Sequence, residues 1–375
     1  MKNFIAGILV CFSTAVAEAQ SIGFLMHDAD LVVAGETVAH GQSGRVDLYS
    51  LNGCEVIKGV LDQADFKIAC FCDVCCHVHL HSGMGSLMFL RRLTGNISGV
   101  NMTAPMYTIL NGELGHINYE AEEENAVLDI ARRYASIPDD ASANDRAEAV
   151  ADIFKASLRL DSEPLLYSAA YDVVATPGAL DRLSASDETL ALEKFRSTGA
   201  SSRLRGRMLL LLGETAPAGF IPLLEDVVRS QEGRFYLEPS AAILGAIGDA
   251  GSGFRLINGF SGLGEIEQSN IIYVLGHMGN GKGLSALETL LEDFAEPLCL
   301  DMVDALVADR TDTAVNLLTE MSGHSNSEVA MRALIALGRI NTTHARNVLR
   351  DIAGSSDMDE AVVEKAAEIL GTLSE

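Results

Sequence analysis

Apolar residues recur along the C-terminal half of the chain on one long period. A leucine followed by glycine stands at Leu212-Gly213, Leu244-Gly245, Leu275-Gly276, Leu337-Gly338 and Leu370-Gly371, and Leu306-Val307 fills the gap in the series. Successive members lie 31 to 33 residues apart, a spacing that predicts a helical solenoid. Twelve residues after each of the first five leucines stands another: Leu224, Leu256, Leu287, Leu318 and Leu349. Each unit reads as two helices. Val329, Ala333, Ala336, Leu337 and Ile340 share one helical face, and Gly338 with the polar residues after it ends that helix. Ala345, Val348, Leu349 and Ile352 form a second apolar stripe. So small a pair buries both stripes only by stacking on its neighbours.

Upstream the pattern changes. Glu122 to Ala135, Ala147 to Leu158 and Leu165 to Val174 keep helical spacing without the repeat, and Ser136 to Asn144 is a polar linker. The helix ending at Ala135 begins acidic and ends on Arg132 and Arg133, which suits its dipole. Earlier still, Leu31 to Val38, Val46 to Ile57, Phe66 to Cys72, Val74 to Leu80, Ser86 to Leu90 and Met106 to Leu110 are short strand candidates separated by Gly and Asn. Such strands predict a small barrel or sandwich. The expected fold is therefore a multidomain α and β chain: residues 20–118 a β-domain, 119–199 an irregular helical connector or cap, and 200–375 helical repeats.

VAMRALIALGRI, Val329 to Ile340, looks like the first helix of a HEAT-like repeat, and the resemblance covers roughly residues 200–375. The turns lack a regular Asp-Pro. ADLVVAGETV ending at Val38, EVIKG at Glu55 to Gly59 and SLMFLRR at Ser86 to Arg92 resemble the netrin-like, tissue-inhibitor-like oligonucleotide/oligosaccharide-binding (OB) barrel of exported bacterial proteins. That resemblance implies a binding module and brings no catalytic residue with it.

The first residues bear on location. A polar start at Lys2 and Asn3, an uncharged run from Phe4 to Ala17 and the small-x-small triplet Ala17-Glu18-Ala19 have the form of a secretory signal peptide, residues 1–19. Val10 before Cys11 does not suit a lipoprotein signal. The expected location is periplasmic or extracellular. No later segment reaches the length of a transmembrane helix.

Composition narrows the partners. The chain has 375 residues, 48% of them apolar and 21% charged, which is ordinary for a globular protein. Its formal net charge is −25, a field that repels phosphate backbones, so nucleic acid is excluded as a partner and a protein is expected. Six of seven cysteines remain after residue 19. Cys54, Cys70, Cys72, Cys75 and Cys76 are disulfide candidates if the compartment is oxidising.

Four thiols and three imidazoles crowd Cys70-Phe71-Cys72-Asp73-Val74-Cys75-Cys76-His77-Val78-His79-Leu80-His81. On a strand from Val74 to His81, side chains alternate, so Val74, Cys76, Val78 and Leu80 share an apolar face and Cys75, His77, His79 and His81 the other. Thiolate and imidazole suit zinc or copper, which makes those four residues a candidate metal site beside the disulfide reading. Gly276 to Gly283 nearly spells a phosphate loop, but Gly283 stands where Ser or Thr is needed, and an inter-helix turn is expected instead. Tyr167, Tyr171 and Tyr273 sit at helical core spacing. Neither a Gly-x-Ser-x-Gly elbow nor a His-Glu-x-x-His pair occurs. The sequence thus predicts an exported binding or scaffold protein that is not an enzyme, with zinc or copper binding as the alternative.

Overall fold

The structure is a computed structural model that describes residues 21–373 apart from 44–45, 62–65, 72–79, 81, 95–104, 111–114, 161, 198–199, 250, 280 and 291–295. The described residues fall into two compact units, one ending at Thr215 and the other beginning at Ala216.

The first unit opens with helix α1 (Ile22–Asp28), followed by strands β1 (Leu31–Ser43), β2 (Val46–Lys58), β3 (Lys67–Phe71), β4 (Gly85–Arg92), β5 (Met106–Ile109) and β6 (His116–Tyr119). Strand order is β1-β2-β3-β5-β4, and β4 pairs back onto β1, so five strands close a barrel. All pairings are antiparallel except β3 with β5. This is the five-stranded Greek-key barrel of the OB type. Alternation fills it: Leu31, Val33, Ile68, Met88, Leu90, Tyr107 and Ile109 form one buried cluster. Leu87 and Phe89 point the other way along β4 and are also buried, because helix α2 (Glu124–Ala135) packs on β2 and β4. Arg132 of α2 donates three hydrogen bonds to the Glu55 carboxylate of β2, at 3.0, 2.7 and 2.9 Å.

Four further helices complete this unit: α3 (Ala143–Leu158), α4 (Glu163–Ala175), α5 (Ala185–Arg196) and α6 (Ser202–Thr215). The Ser142 hydroxyl caps α3 and a Ser184–Asp187 capping box starts α5. Helix α4 packs on α3 and α6.

The second unit is a series of helix pairs. After α7 (Phe220–Val228) come α8 (Leu237–Ile247) with α9 (Ser252–Ile257), α10 (Glu265–His277) with α11 (Leu284–Leu290), and α12 (Glu296–Asp309) with α13 (Asp312–Met321). Then follow α14 (Ser327–Ile340) with α15 (Thr343–Ala353), and α16 (Glu360–Leu373). The first helices α8, α10, α12, α14 and α16 contact one another in sequence, and so do the second helices α7, α9, α11, α13 and α15. That is solenoid stacking, in which each stripe is covered by the next repeat. Leu224, Leu256, Leu287, Leu318 and Leu349 are all fully buried.

The structure also explains the glycine of the repeated Leu-Gly pair. A β-carbon on Gly276 would lie 2.7 Å from the Ala305 carbonyl oxygen, and one on Gly338 would lie 2.6 Å from Ile369 Cγ2. On Gly245 it would lie 2.7 Å from the carbonyl carbon of Met278. Gly245 and Gly276 therefore let the next repeat approach at backbone distance, and Gly338 leaves room for the Ile369 side chain. We expect Gly245→Ala to destabilise by roughly 1–3 kcal/mol, the cost of forcing extra volume into a packed interface. Gly371 has no neighbour within 4 Å of the same position. There, alanine should be neutral or stabilise by up to about 1 kcal/mol through helix propensity. Thermal unfolding of the two variants checks the pair; equal effects would contradict the packing argument.

Gly276 and His277 end α10, and the segment from Met278 to Gly283 joins it to α11 with Gly279 and Gly281 at positive φ. Lys282, in the place of a phosphate-loop lysine, donates to the Gly245 carbonyl at 2.5 Å.

Candidate functional site

Within the first unit a cavity of about 430 Å³ lies among α1, the end of β2, and helices α2, α3 and α4. Its construction starts at α1. Seven residues containing a glycine make a weak helix by propensity, so outside groups must hold it. Ser21 caps it by accepting from the Phe24 N–H at 3.0 Å. The next two N–H groups bind α4: Ile22 donates to Ser168 Oγ at 2.5 Å and Gly23 to Asp172 Oδ2 at 3.3 Å. At the other end Lys58 Nζ donates to the Met26 and His27 carbonyls at 2.5 and 3.0 Å, placing a cation on the negative end of the helix. Gly23 suits this contact, since a β-carbon there would press on the Asp172 carboxyl at 3.0 Å from Oδ2.

Asp172 is the unusual group. It is 9% exposed, and its Oδ2 also accepts from the Tyr134 hydroxyl at 2.7 Å. Burial pushes its carboxyl up to about 6, against hydrogen bonds from Ser21, Tyr134 and Gly23 that favour the anion. Burial and the neighbouring carboxylate push the Tyr134 hydroxyl well above its ordinary value. Among the described residues no lysine, arginine or histidine pairs with Asp172. A buried carboxylate of raised pKa lining a cavity marks a candidate binding site.

The mouth is different. Lys58 and Arg146 are half-buried there. Arg146 Nη2 donates to the Pro138 and Asp139 carbonyls at 3.3 and 3.1 Å, which fixes the guanidinium at the rim. His27 and Asp139 face each other at 3.4 Å, both well exposed, so this pair contributes little to stability. Phe24, Met26, Ile137 and Val150 supply apolar wall.

Sequence reasoning missed this site. Its chemistry comes from Ser21, Lys58, Tyr134, Arg146 and Asp172, which are dispersed along the chain and form no motif. The one available signal was Asp172 within the apolar stretch Leu165 to Val174.

The metal candidates Cys75, His77, His79 and His81 lie outside the described residues, as do Cys72 and Cys76 and most of the strand expected from Val74 to Leu80. Leu80 is described and is buried in the barrel core, the side the alternation assigned to it. Among the described residues no group of three or more His, Cys, Asp or Glu is arranged to hold a metal ion. The disulfide expected at Cys54 is not made. Cys54 is a free thiol on β2, packed against the barrel core, and burial followed by Glu55 pushes that thiol up. Cys70 is buried on β3 in the same core. Tyr167 and Tyr171 are partly exposed with the Arg207 guanidinium over both rings, 5.3 and 4.7 Å from their centres, and Tyr273 stacks on His277 at 4.0 Å. The tyrosines thus have an open side that core spacing alone did not suggest. No helix among the described residues is long and apolar enough to cross a membrane.

No family model and no curated protein matches the chain. Among solved structures it is similar to human deoxyhypusine hydroxylase in complex with glycerol, at 16% identity and a TM-score of 0.27, covering 67% of this chain and 96% of that one. The matched protein is an enzyme, and the expectation that the present chain is not one is withdrawn. A likeness this low brings no reaction, substrate or cofactor to the present chain.

Proposed function

We propose that this is an exported binding protein whose stacked helix pairs present a surface to a protein partner. The observation that carries the reading is the stacking itself. The helix pairs bury their leucine stripes against one another and leave an extended row of first helices, from which Ile266 and Ile335 project, 42% and 40% exposed. The net charge of −25 favours a basic partner. The strand order of the barrel supports the finer likeness to the netrin-like group, and with it a second binding module.

The test is a pull-down with the full chain from periplasm or culture medium, run beside the double variant Ile266→Asp/Ile335→Asp. A partner retained by the wild type and lost by a folded variant supports the reading. Identical capture by both, or no capture, opposes it.

Export is tested separately by N-terminal sequencing of the protein recovered outside the cytoplasm. The expected first residue is Gln20, from cleavage after Ala17-Glu18-Ala19. These residues lie outside those the structure describes. A retained Met1 would remove the export reading.

A further inference from the structure

The cavity beside α1 has a graded chemistry. At its floor is a carboxylate, Asp172, 9% exposed and held by neutral donors only: the Gly23 N–H and the Tyr134 and Ser21 hydroxyls. At its rim are two cationic groups, Lys58 and Arg146, each fixed by carbonyl acceptors, with the exposed Asp139 carboxylate and its partner His27 beside them. Between them lies apolar wall from Phe24 and Val150. In a chain of net charge −25, two basic side chains against one carboxylate, Asp139, at the mouth run against the prevailing field.

Each part selects something. A buried anion without a cationic partner favours a ligand that brings positive charge and N–H donors, since an uncompensated buried charge is costly. An arginine fork and an ammonium favour a carboxylate, the arginine in two-point fashion. Lys58 has three donors and the two carbonyls occupy two of them. A simple amine would satisfy the floor and be repelled by the rim, whereas a simple carboxylic acid would satisfy the rim and leave the floor as it is. A volume of about 430 Å³ lies in the range of small-molecule sites.

We propose that this cavity binds a small zwitterion, a free α-amino acid with an apolar side chain, its ammonium on Asp172 and its carboxylate toward Arg146 and Lys58. The alternative role of Asp172 is to anchor the first turn of α1. That role accounts for the Gly23 contact but not for the open cavity beside it or for its basic rim.

The test uses the purified full chain at neutral pH and three probes, L-norvaline, n-butylamine and butyrate, followed by calorimetry. Norvaline should bind saturably, with each one-ended probe weaker by about tenfold or more, the usual scale for losing one charge-assisted pair. Asp172→Asn should weaken norvaline by a similar factor. Arg146→Gln should weaken norvaline and should not weaken n-butylamine, which loses a repelling charge at the rim. Circular dichroism reports whether each variant is folded, and if Asp172→Asn is not, the rim variant and the three probes decide. No saturable norvaline binding up to about 10 mM overturns the proposal. So does a one-ended probe that binds as tightly as norvaline, or a folded Arg146→Gln that binds norvaline like the wild type.

Discussion

Leu287→Ala is expected to lower the stability of the second unit by roughly 2–5 kcal/mol, the range for emptying a buried leucine site. Leu287 is fully buried on α11, a helix of seven residues placed against α9, α10 and α13. So short a helix has little stability of its own and depends on the stripe it buries. A cavity there is also shared between successive repeats, because the second helices stack in series. Solenoid stability is a sum of repeat and interface terms, so one substitution weakens both the α10/α11 pair and its neighbours. Denaturant unfolding followed by helical signal gives the measurement. A midpoint equal to that of the wild type would mean that Leu287 is not the core position the repeat assigns to it.

The repeats were legible because their signal is redundant. One period relates Leu-Gly pairs in the first helices and leucines in the second, and a misread position is corrected by the next unit. Leu306-Val307 shows the tolerance: valine stands where other units carry glycine, and α12 still contacts α10 and α14. The barrel strands were legible by alternation, with bounds within a few residues for β2, β4 and β5. The elements missed include α5, α1 and β6, and the last two show why. His116 to Tyr119 is four residues long and becomes a strand only by pairing with β4, from Gly85↔Tyr119 to Met88↔His116. Ile22 to Asp28 becomes a helix only because Ser168, Asp172 and Lys58 bind its ends. In both, tertiary contacts decide, and local propensity carries no trace of them.

The same distinction separates the two candidate sites. Cysteines and histidines within twelve residues draw the eye because ligand chemistry is local in sequence. The cavity beside α1 assembles residues from Ser21 to Asp172 through the fold, and no spacing rule reaches across that distance. Asp172 and Tyr134 lie 38 positions apart and meet because α2 and α4 both pack on α1.

Asp172→Asn is expected to remove a pH dependence worth about 3 kcal/mol from the first unit. The carboxyl moves from 3.8 to about 6 on folding, chiefly because burial penalises its anion. A carboxyl raised in this way binds its proton more tightly in the folded chain than in the unfolded one. Its contribution to stability is therefore complete below about pH 4 and is lost as pH rises through about 6. This is opposite in sign to the common salt-bridged aspartate. Asparagine keeps the shape and both hydrogen-bonding senses: its oxygen can accept from Gly23 or Tyr134, and its amide can donate to a hydroxyl oxygen. It cannot ionise. The other carboxyl groups titrate in both proteins, so the informative quantity is the difference in unfolding free energy between variant and wild type. That difference should favour the variant increasingly from pH 4 to pH 7, by about two pKa units or about 3 kcal/mol in all. A difference that stays flat across this interval would mean that the buried carboxyl keeps its ordinary value, and a difference that moves the other way would mean that a cation compensates it in solution.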